Sequence, residues 1–308
     1  MKKVLIVGCG AIGSLFAAHL ANGGEVEVYT FDTSQPHVEA INRNGLRLSG
    51  AAELHVKLRK ASTVPDELPV CDYGIVATKS IHTAAAMKAA APCFDNNSAV
   101  CSVQNGAGNE ELIAEHVKYV VRGTTFPAGH VAGPGHVGFD IKGDTWIGPF
   151  EPSQTPMERV EELAGLLTRS GMNTVAMADA RGAQWTKLIF NAATNPVGAL
   201  TGLHHGAASR FPPTADLFEA LIQEGEAVAR AMGIELHGDP RTLVAKGANA
   251  AGKHKASMLQ DVLARRATEV DFMNGAIVKC GEKHGVATPL NRAMWALIKG
   301  LEHSWEEP

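Results

Sequence analysis

Over about the first 125 residues, short apolar runs alternate with segments whose apolar positions recur at helical spacing. Residues 3–7 (Lys-Val-Leu-Ile-Val) form an unbroken, β-rich run, the pattern of a strand covered on both faces. Residues 14–22 show helical spacing through Leu15, Ala18 and Leu20, ended by Gly23-Gly24. The same alternation predicts strands over Val26–Phe31, Tyr73–Thr78, Ala99–Val103 and Tyr119–Thr125, and helices over His37–Asn44, Thr83–Ala91 and Asn109–His116. Two short alternating segments, Leu46–Ser49 and Leu54–Leu58, lie between. This β-α alternation predicts a doubly wound parallel sheet. The pattern changes at Ala128–Phe150, where strand-like pieces around Gly133-Pro134-Gly135 lack a helix between them and predict an antiparallel hairpin added to that sheet. An amphipathic helix over Met157–Arg169 and a strand over Asn173–Ala176 close a first domain at 1–178. Beyond it the strand signal fades. Asp179 reads as the N-cap of a helix running toward Asn195, and further helices fit Ala215–Met232, Pro240–Ala250, Ser257–Ala264, Val270–His284 and Pro289–Glu302. The fold class is therefore α/β, with an all-α C-terminal domain at 179–308.

Charge and cysteine content narrow the function classes. The net charge is −4, and the basic residues form no stripe, so a nucleic-acid protein is not expected. The densest cationic cluster (Lys246, Lys253, Lys255, Arg265, Arg266) is short and interrupted. The five cysteines are odd in number and include no C-x-x-C pair, which argues against a disulfide framework and a cysteine-based metal site and fits a reducing, cytoplasmic setting. Met1-Lys2-Lys3 before an apolar stretch resembles a leader, but three glycines break the stretch and a strand pattern follows, so no signal peptide is expected. No apolar run is long enough for a membrane span.

Gly8-Cys-Gly-Ala-Ile-Gly13 has the spacing G-x-G-x-x-G. It follows a predicted strand and opens a predicted helix, the context that makes this weak motif specific for a dinucleotide pyrophosphate. The predicted contacts are Gly8, Cys9, Gly10, Ala11, Ile12 and Gly13, and the fold they imply is Rossmann-type. Asp32 stands 19 residues past Gly13, at the end of the second strand, where a carboxylate accepts from ribose hydroxyls. It would repel a 2′-phosphate, which favours NAD(H). The alternative is that Asp32 only caps the turn through Thr33-Ser34.

Lys187, Asn191 and Asn195 are spaced i, i+4, i+8, so on a helix they share a face, within a segment made apolar by Trp185, Leu188, Ile189 and Phe190. Polar groups on a buried helix require partners, and a small acid substrate supplies them.

Five stretches together resemble the ketopantoate reductase (2-dehydropantoate 2-reductase) family: residues 8–13, Gln104-Asn-Gly-Ala-Gly108, Trp185-Thr-Lys-Leu-Ile-Phe-Asn191 with Asn195-Pro196, Ser257-Met-Leu-Gln-Asp261, and Thr268-Glu-Val-Asp-Phe-Met-Asn-Gly275. The resemblance implies reduction of a 2-oxo acid to a 2-hydroxy acid with a nicotinamide cofactor, NADP(H) being the family default. It implies Lys187 as general acid, Glu269 as the acidic residue that holds the substrate hydroxyl, and Ser257 at the substrate carboxylate. It implies Asn105 as a contact of both cofactor and substrate, Asn191 and Asn195 as substrate contacts, and Lys79 as a cofactor contact. Ser257 also reads as a helix N-cap, and residues 129–138 are expected to border the cofactor through their backbone. Two positions depart from the family. Tyr29-Thr-Phe-Asp32 lacks the usual Arg for a 2′-phosphate, and His204-His205 falls where an Asn is usual. The second departure weakens the case for pantoate chemistry itself, and two alternatives stay open: a related NAD(P)-dependent dehydrogenase for a different oxo or hydroxy acid, and a non-catalytic dinucleotide-binding sensor. A monomer or homodimer without metal, nucleic acid or membrane is expected.

Overall fold

The computed structural model describes residues 1–249 and 256–306; the expected helix end at Ala250, and Lys253 and Lys255, lie outside the described residues. The chain divides into two compact units, one of residues 1–104 with 109–180, the other of residues 105–108 with 181–308.

In the first unit, β1 (Lys2–Val7) leads through the glycine turn to α1 (Ala11–Gly23), β2 (Val26–Phe31) and α2 (Gln35–Asn44). Next come β3 (Leu46–Gly50), β4 (Leu54–Val56), β5 (Lys60–Ser62), β6 (Tyr73–Val76), α3 (Thr83–Ala90), β7 (Ala99–Ser102), α4 (Asn109–Ala114) and β8 (Tyr119–Thr125). The unit ends with β9 (Ala128–Gly133), β10 (His136–Ile141), β11 (Thr145–Pro149), α5 (Met157–Arg169) and β12 (Thr174–Ala176). The main sheet has the order β12-β11-β8-β7-β6-β1-β2-β5, parallel except where β11 meets β8. The chain leaves β1 toward β2 on one side and later returns to β6 on the other. The turn after β1 thus sits where strand order reverses, the place at which such sheets bind ligands. Fully buried Val4, Leu5, Ile6 and Val7 explain why β1 reads as an unbroken apolar run. Cores lie on both faces of the sheet, one around Leu15, Phe16 and Leu163, the other around Met87, Ile113 and Val120.

The hairpin region is corrected by this topology. Only β11 joins the main sheet; β9 and β10 belong to a separate four-stranded sheet of order β4-β3-β10-β9. β10 runs parallel to β3, with His136 opposite Arg47, a long-range pairing that local alternation cannot encode. Its buried residues Leu46, Leu48, Val137 and Phe139 enter the α1-side core. The three-residue strand β5 is too short to leave a periodic signal.

The second unit contains α6 (Arg181–Thr201), α7 (His205–Arg210), α8 (Pro212–Ala231), α9 (Pro240–Asn249), α10 (Ser257–Leu263), α11 (Asn274–His284) and α12 (Pro289–His303). Its core gathers Leu188, Ile189, Phe218, Leu221, Ile277 and Ile298. Three expectations are revised. α6 begins at Arg181, one residue too late for Asp179 to be its N-cap, and it continues through Pro196. The helix expected over Val270–His284 breaks at Met273 (φ −106, ψ −95) into a 3-10 turn and α11. α7 is a six-residue helix, too short to leave a periodic signal in the sequence.

Candidate active site

The glycine turn assigns a separate reason to each glycine. Gly8 has φ +87, and a Cβ there would lie 2.6 Å from the Thr78 side chain. A Cβ on Gly13 would fall 1.9 Å from the Gly8 carbonyl oxygen, so helix and strand touch at that point. Gly10 has an ordinary φ of −70, and a Cβ there would meet nothing within 4 Å. Neither packing nor backbone geometry within the protein calls for glycine at 10. An external group approaching the backbone does, so the turn fits a dinucleotide pyrophosphate. Gly10 is also the N-cap of α1, without a side-chain cap and without an acidic residue in the first turn, where Ala11 and Ile12 stand. The positive end of the helix is thereby left for an anion.

Asp32 does more than either sequence reading proposed. Its Oδ1 accepts from the Ser34 amide (2.8 Å), which is the turn cap, and its Oδ2 accepts from the Cys9 amide (2.7 Å), which ties β2 to the glycine turn. The Ser14 hydroxyl donates to the Cys9 carbonyl at 2.9 Å. Burial pushes the Cys9 thiol up to about 12, so it is no nucleophile at neutral pH. Lys79, half-buried, follows Thr78 and caps the 3-10 turn Ser80–His82. Gln104, to which the sequence reading gave no role, braces that segment. Its amide donates to the Thr78 carbonyl (3.0 Å) and the Thr83 hydroxyl (2.7 Å), and Thr83 donates to Asn109 (2.8 Å).

In the second unit α6 carries Lys187, Asn191 and Asn195 at the expected spacing, with Asn191 and Asn195 buried. Lys187 keeps part of its surface exposed, yet burial lowers its pKa from 10.5 to about 8, against the opposing pull of the Glu269 carboxylate. Glu269 is itself buried, at the start of the turn Val270–Phe272. Folding thus joins an acid and an amine 82 residues apart in sequence. The Asn195 amide donates to the Met273 thioether at 3.6 Å. The loop carrying Asn105 is sewn to the same elements. The Ala107 amide donates to the Phe272 carbonyl (3.0 Å), and Gln184, another buried residue the sequence reading passed over, donates to the Gly106 carbonyl (3.3 Å). A Cβ on Gly106 (φ +90) would lie 2.4 Å from that Phe272 oxygen. Gln184 stands three residues before Lys187, so the 3.6 periodicity carried a signal for it. Ser257 is exposed and opens α10, whose cap is Ala256, so the N-cap reading of Ser257 is corrected. Ala256 approaches α6 at Gly198, one turn past Asn195.

Pro196 lies inside α6 and has no N–H for the Ala192 carbonyl. The fully buried Asn274 fills that gap. Its Nδ2 donates to the Ala192 oxygen (2.8 Å) and to Asn291 Oδ1 (3.0 Å), and Asn291 in turn donates to Glu224 (2.8 Å). The turn of α6 that carries Asn191 and Asn195 is thus held through α11, α12 and α8.

The sequence profile of ketopantoate reductase PanE/ApbA matches residues 4–152, and that of its C-terminal domain matches residues 179–302. The 2-dehydropantoate 2-reductase of Pyrococcus abyssi is 35% identical over 300 residues, 97% of this chain and 98% of the relative. A PanE/ApbA-family ketopantoate reductase from Ralstonia eutropha JMP134 superposes with a TM-score of 0.89 at 30% identity, covering 99% of this chain and 100% of the other. D-mandelate dehydrogenase with NADH and anilino(oxo)acetate superposes with a TM-score of 0.87 at 26% identity, covering 98% of each. The fold and site define a nicotinamide-dependent oxidoreductase of the CH–OH class that converts a 2-oxo acid to a 2-hydroxy acid. The chain belongs to the ketopantoate reductase family. Among the described residues no helix is long and apolar enough to cross a membrane.

Proposed function

We propose that this protein reduces 2-dehydropantoate, or a close analogue, with Lys187 as general acid. The observation that carries this reading is the desolvated Lys187 amine, brought to about 8 beside a buried carboxylate on a face shared with two buried amides. A nicotinamide held there would supply the hydride for the ketone carbon. The Lys187 ammonium donates a proton to the carbonyl oxygen, where charge develops, and an acid with a pKa of about 8 is well matched to that transfer near neutral pH. Glu269 holds the ammonium in its charged form and accepts from the substrate hydroxyl. Asn191, Asn195 and Asn105 orient the substrate through their amides, and Ser257 donates to its carboxylate. Gly8–Gly13, Asp32 and Lys79 would hold the dinucleotide, and Asn105 is a further contact of cofactor and substrate. NADH is the preferred cofactor, because each Asp32 oxygen keeps a lone pair for a ribose hydroxyl after accepting one backbone N–H, and no Arg stands in that segment to offset a 2′-phosphate.

A second reading rests on His205. With His204 it forms the pair that falls where the family usually has Asn; its ring stacks on Phe218 (centroids 6.2 Å, 18°) and meets Phe190 at 5.6 Å, while its Nε2 is engaged with the Val244 carbonyl at 3.0 Å. An aromatic surround in place of an amide favours a substrate with a larger apolar group, and D-mandelate dehydrogenase with anilino(oxo)acetate is among the structures this chain resembles. Steady-state kcat/KM for 2-dehydropantoate and for phenylglyoxylate, each with NADH and with NADPH, separates the two readings. Higher kcat/KM for phenylglyoxylate selects the second, and turnover of neither removes both.

A further inference from the structure

Glu302 takes no part in the proposed chemistry, yet it stands in the last turn of α12 with a side chain only 13% exposed. Its Oε1 accepts from both donors of the buried Thr268, the amide and the hydroxyl, each at 2.7 Å. The Thr268 hydroxyl oxygen in turn accepts from the Val270 amide at 3.3 Å. Asp271, three residues on, is held by the same helix. Its Oδ1 accepts from Trp295 Nε1 (2.6 Å) and its Oδ2 from the Lys299 ammonium (3.2 Å). Lys299 also donates to Glu302 Oε2 at 2.8 Å, so it bridges the two carboxylates. Trp295, Lys299 and Glu302 are spaced i, i+4, i+7 and lie along one face of α12. The start of α11 packs against that face, since a Cβ on Gly275 would lie 3.2 Å from the Trp295 ring.

Between Thr268 and Asp271 stands the buried Glu269, whose carbonyl closes the 3-10 turn by accepting from the Phe272 amide at 3.0 Å. The same turn reaches the Asn105 loop through the Phe272 carbonyl, and Asn195 through the Met273 thioether. We infer that Glu302 is a positioning residue for the reaction: by taking both donors of Thr268 it fixes, together with Asp271, the turn that carries Glu269. The inference rests on the reading of Glu269 as the carboxylate that serves Lys187 and the substrate hydroxyl. Without the Glu302 carboxylate two buried donors lose their acceptor, and the turn must shift to satisfy them. A displaced Glu269 would act less on Lys187, whose protonated form it favours.

The test is the pH profile of reductive kcat/KM with NADH and the better of the two oxo acids. It is measured for wild type, Glu302→Ala, Glu302→Gln, Thr268→Val and Glu269→Gln. Glu302→Ala should lower kcat/KM about tenfold and move the break near pH 8 downward by about half a unit or more. A loss of global stability lowers the amount of folded enzyme but does not move the break. Glu302→Gln keeps an oxygen for Thr268, loses only the charge facing Lys299, and should recover most of both effects. Thr268→Val keeps the amide bond to Glu302 and loses the hydroxyl. It should show both changes at smaller size, and it carries the test if Glu302→Ala does not fold. An unmoved break in the two variants, or equal losses in Glu302→Ala and Glu302→Gln, would overturn the inference. If Glu269→Gln lowers kcat/KM and moves the break while Glu302→Ala and Thr268→Val do neither, the inference alone fails. If Glu269→Gln changes neither, the reading of Glu269 fails and the inference with it.

Discussion

At the residue scale the proposed site turns on two charges, Lys187 and Asp32, whose surroundings would decide their use. Lys187 must be protonated to act as an acid. Reductive kcat/KM should therefore hold below pH about 8 and fall about tenfold per unit above it, while kcat/KM for oxidation of the hydroxy acid should show the opposite trend. Lys187→Ala should lower kcat by about 10²–10⁴ and remove that pH break, with a smaller change in cofactor affinity. The same depressed pKa has a stability consequence of definite sign. Between about 8 and 10.5 the unfolded lysine binds more protons than the folded one, so this residue makes stability rise with pH across that window. Asp32 is the second charge. Wild type should show higher kcat/KM with NADH than with NADPH, and Asp32→Asn should narrow that ratio. A wild-type preference for NADPH of about tenfold, or a ratio unmoved by the substitution, would remove Asp32 from the ribose site.

At the element scale the least expected feature is a helix that runs through a proline. α6 survives Pro196 because Asn274 supplies the donor that the Ala192 carbonyl has lost. Asn274→Ala leaves two buried acceptors, the Ala192 carbonyl and Asn291 Oδ1, each short of a donor, and should cost about 1–3 kcal/mol. Pro196→Ala restores the intrahelical N–H, so it should recover part of that loss in the Asn274→Ala background. Denaturant melts of the two single variants and the double variant check this, and strict additivity would show that the two residues are not coupled. Asn-Pro is visible in the sequence, and so is Asn274, but the pairing of a proline with an amide 78 residues away is not.

At the scale of the whole molecule, the proposed binding at the glycine turn links to folding. A ligand present at about 100 times its Kd adds about 2.7 kcal/mol to stability, so NADH should raise the thermal midpoint of wild type measurably. In Gly10→Val the apo midpoint should stay close to that of wild type, because a Cβ at 10 meets no protein atom, and the NADH-induced rise should vanish. Gly13→Val should instead lower the apo midpoint sharply, since its Cβ would fall on the Gly8 carbonyl. Differential scanning with and without NADH distinguishes a glycine kept for a ligand from one kept for packing.

The sequence by itself determined what local periodicity and turn chemistry encode: the β-α alternation of the first unit, the helical second unit, the glycine turn, and the stripe of Lys187, Asn191 and Asn195 on one helix. Each of these depends on residues within a few turns of one another. The tertiary structure alone decided which distant groups meet. β10 pairs with β3 rather than with the main sheet, because Leu46, Leu48, Val137 and Phe139 find a common core on the α1 side. The Asn105 loop joins the second unit, because the Phe272 carbonyl and the Gln184 amide take up its backbone groups. Lys187 acquires its pKa of about 8 from the balance between burial and the Glu269 charge. Desolvation and long-range hydrogen bonding depend on how the elements pack, and no spacing along the chain records that.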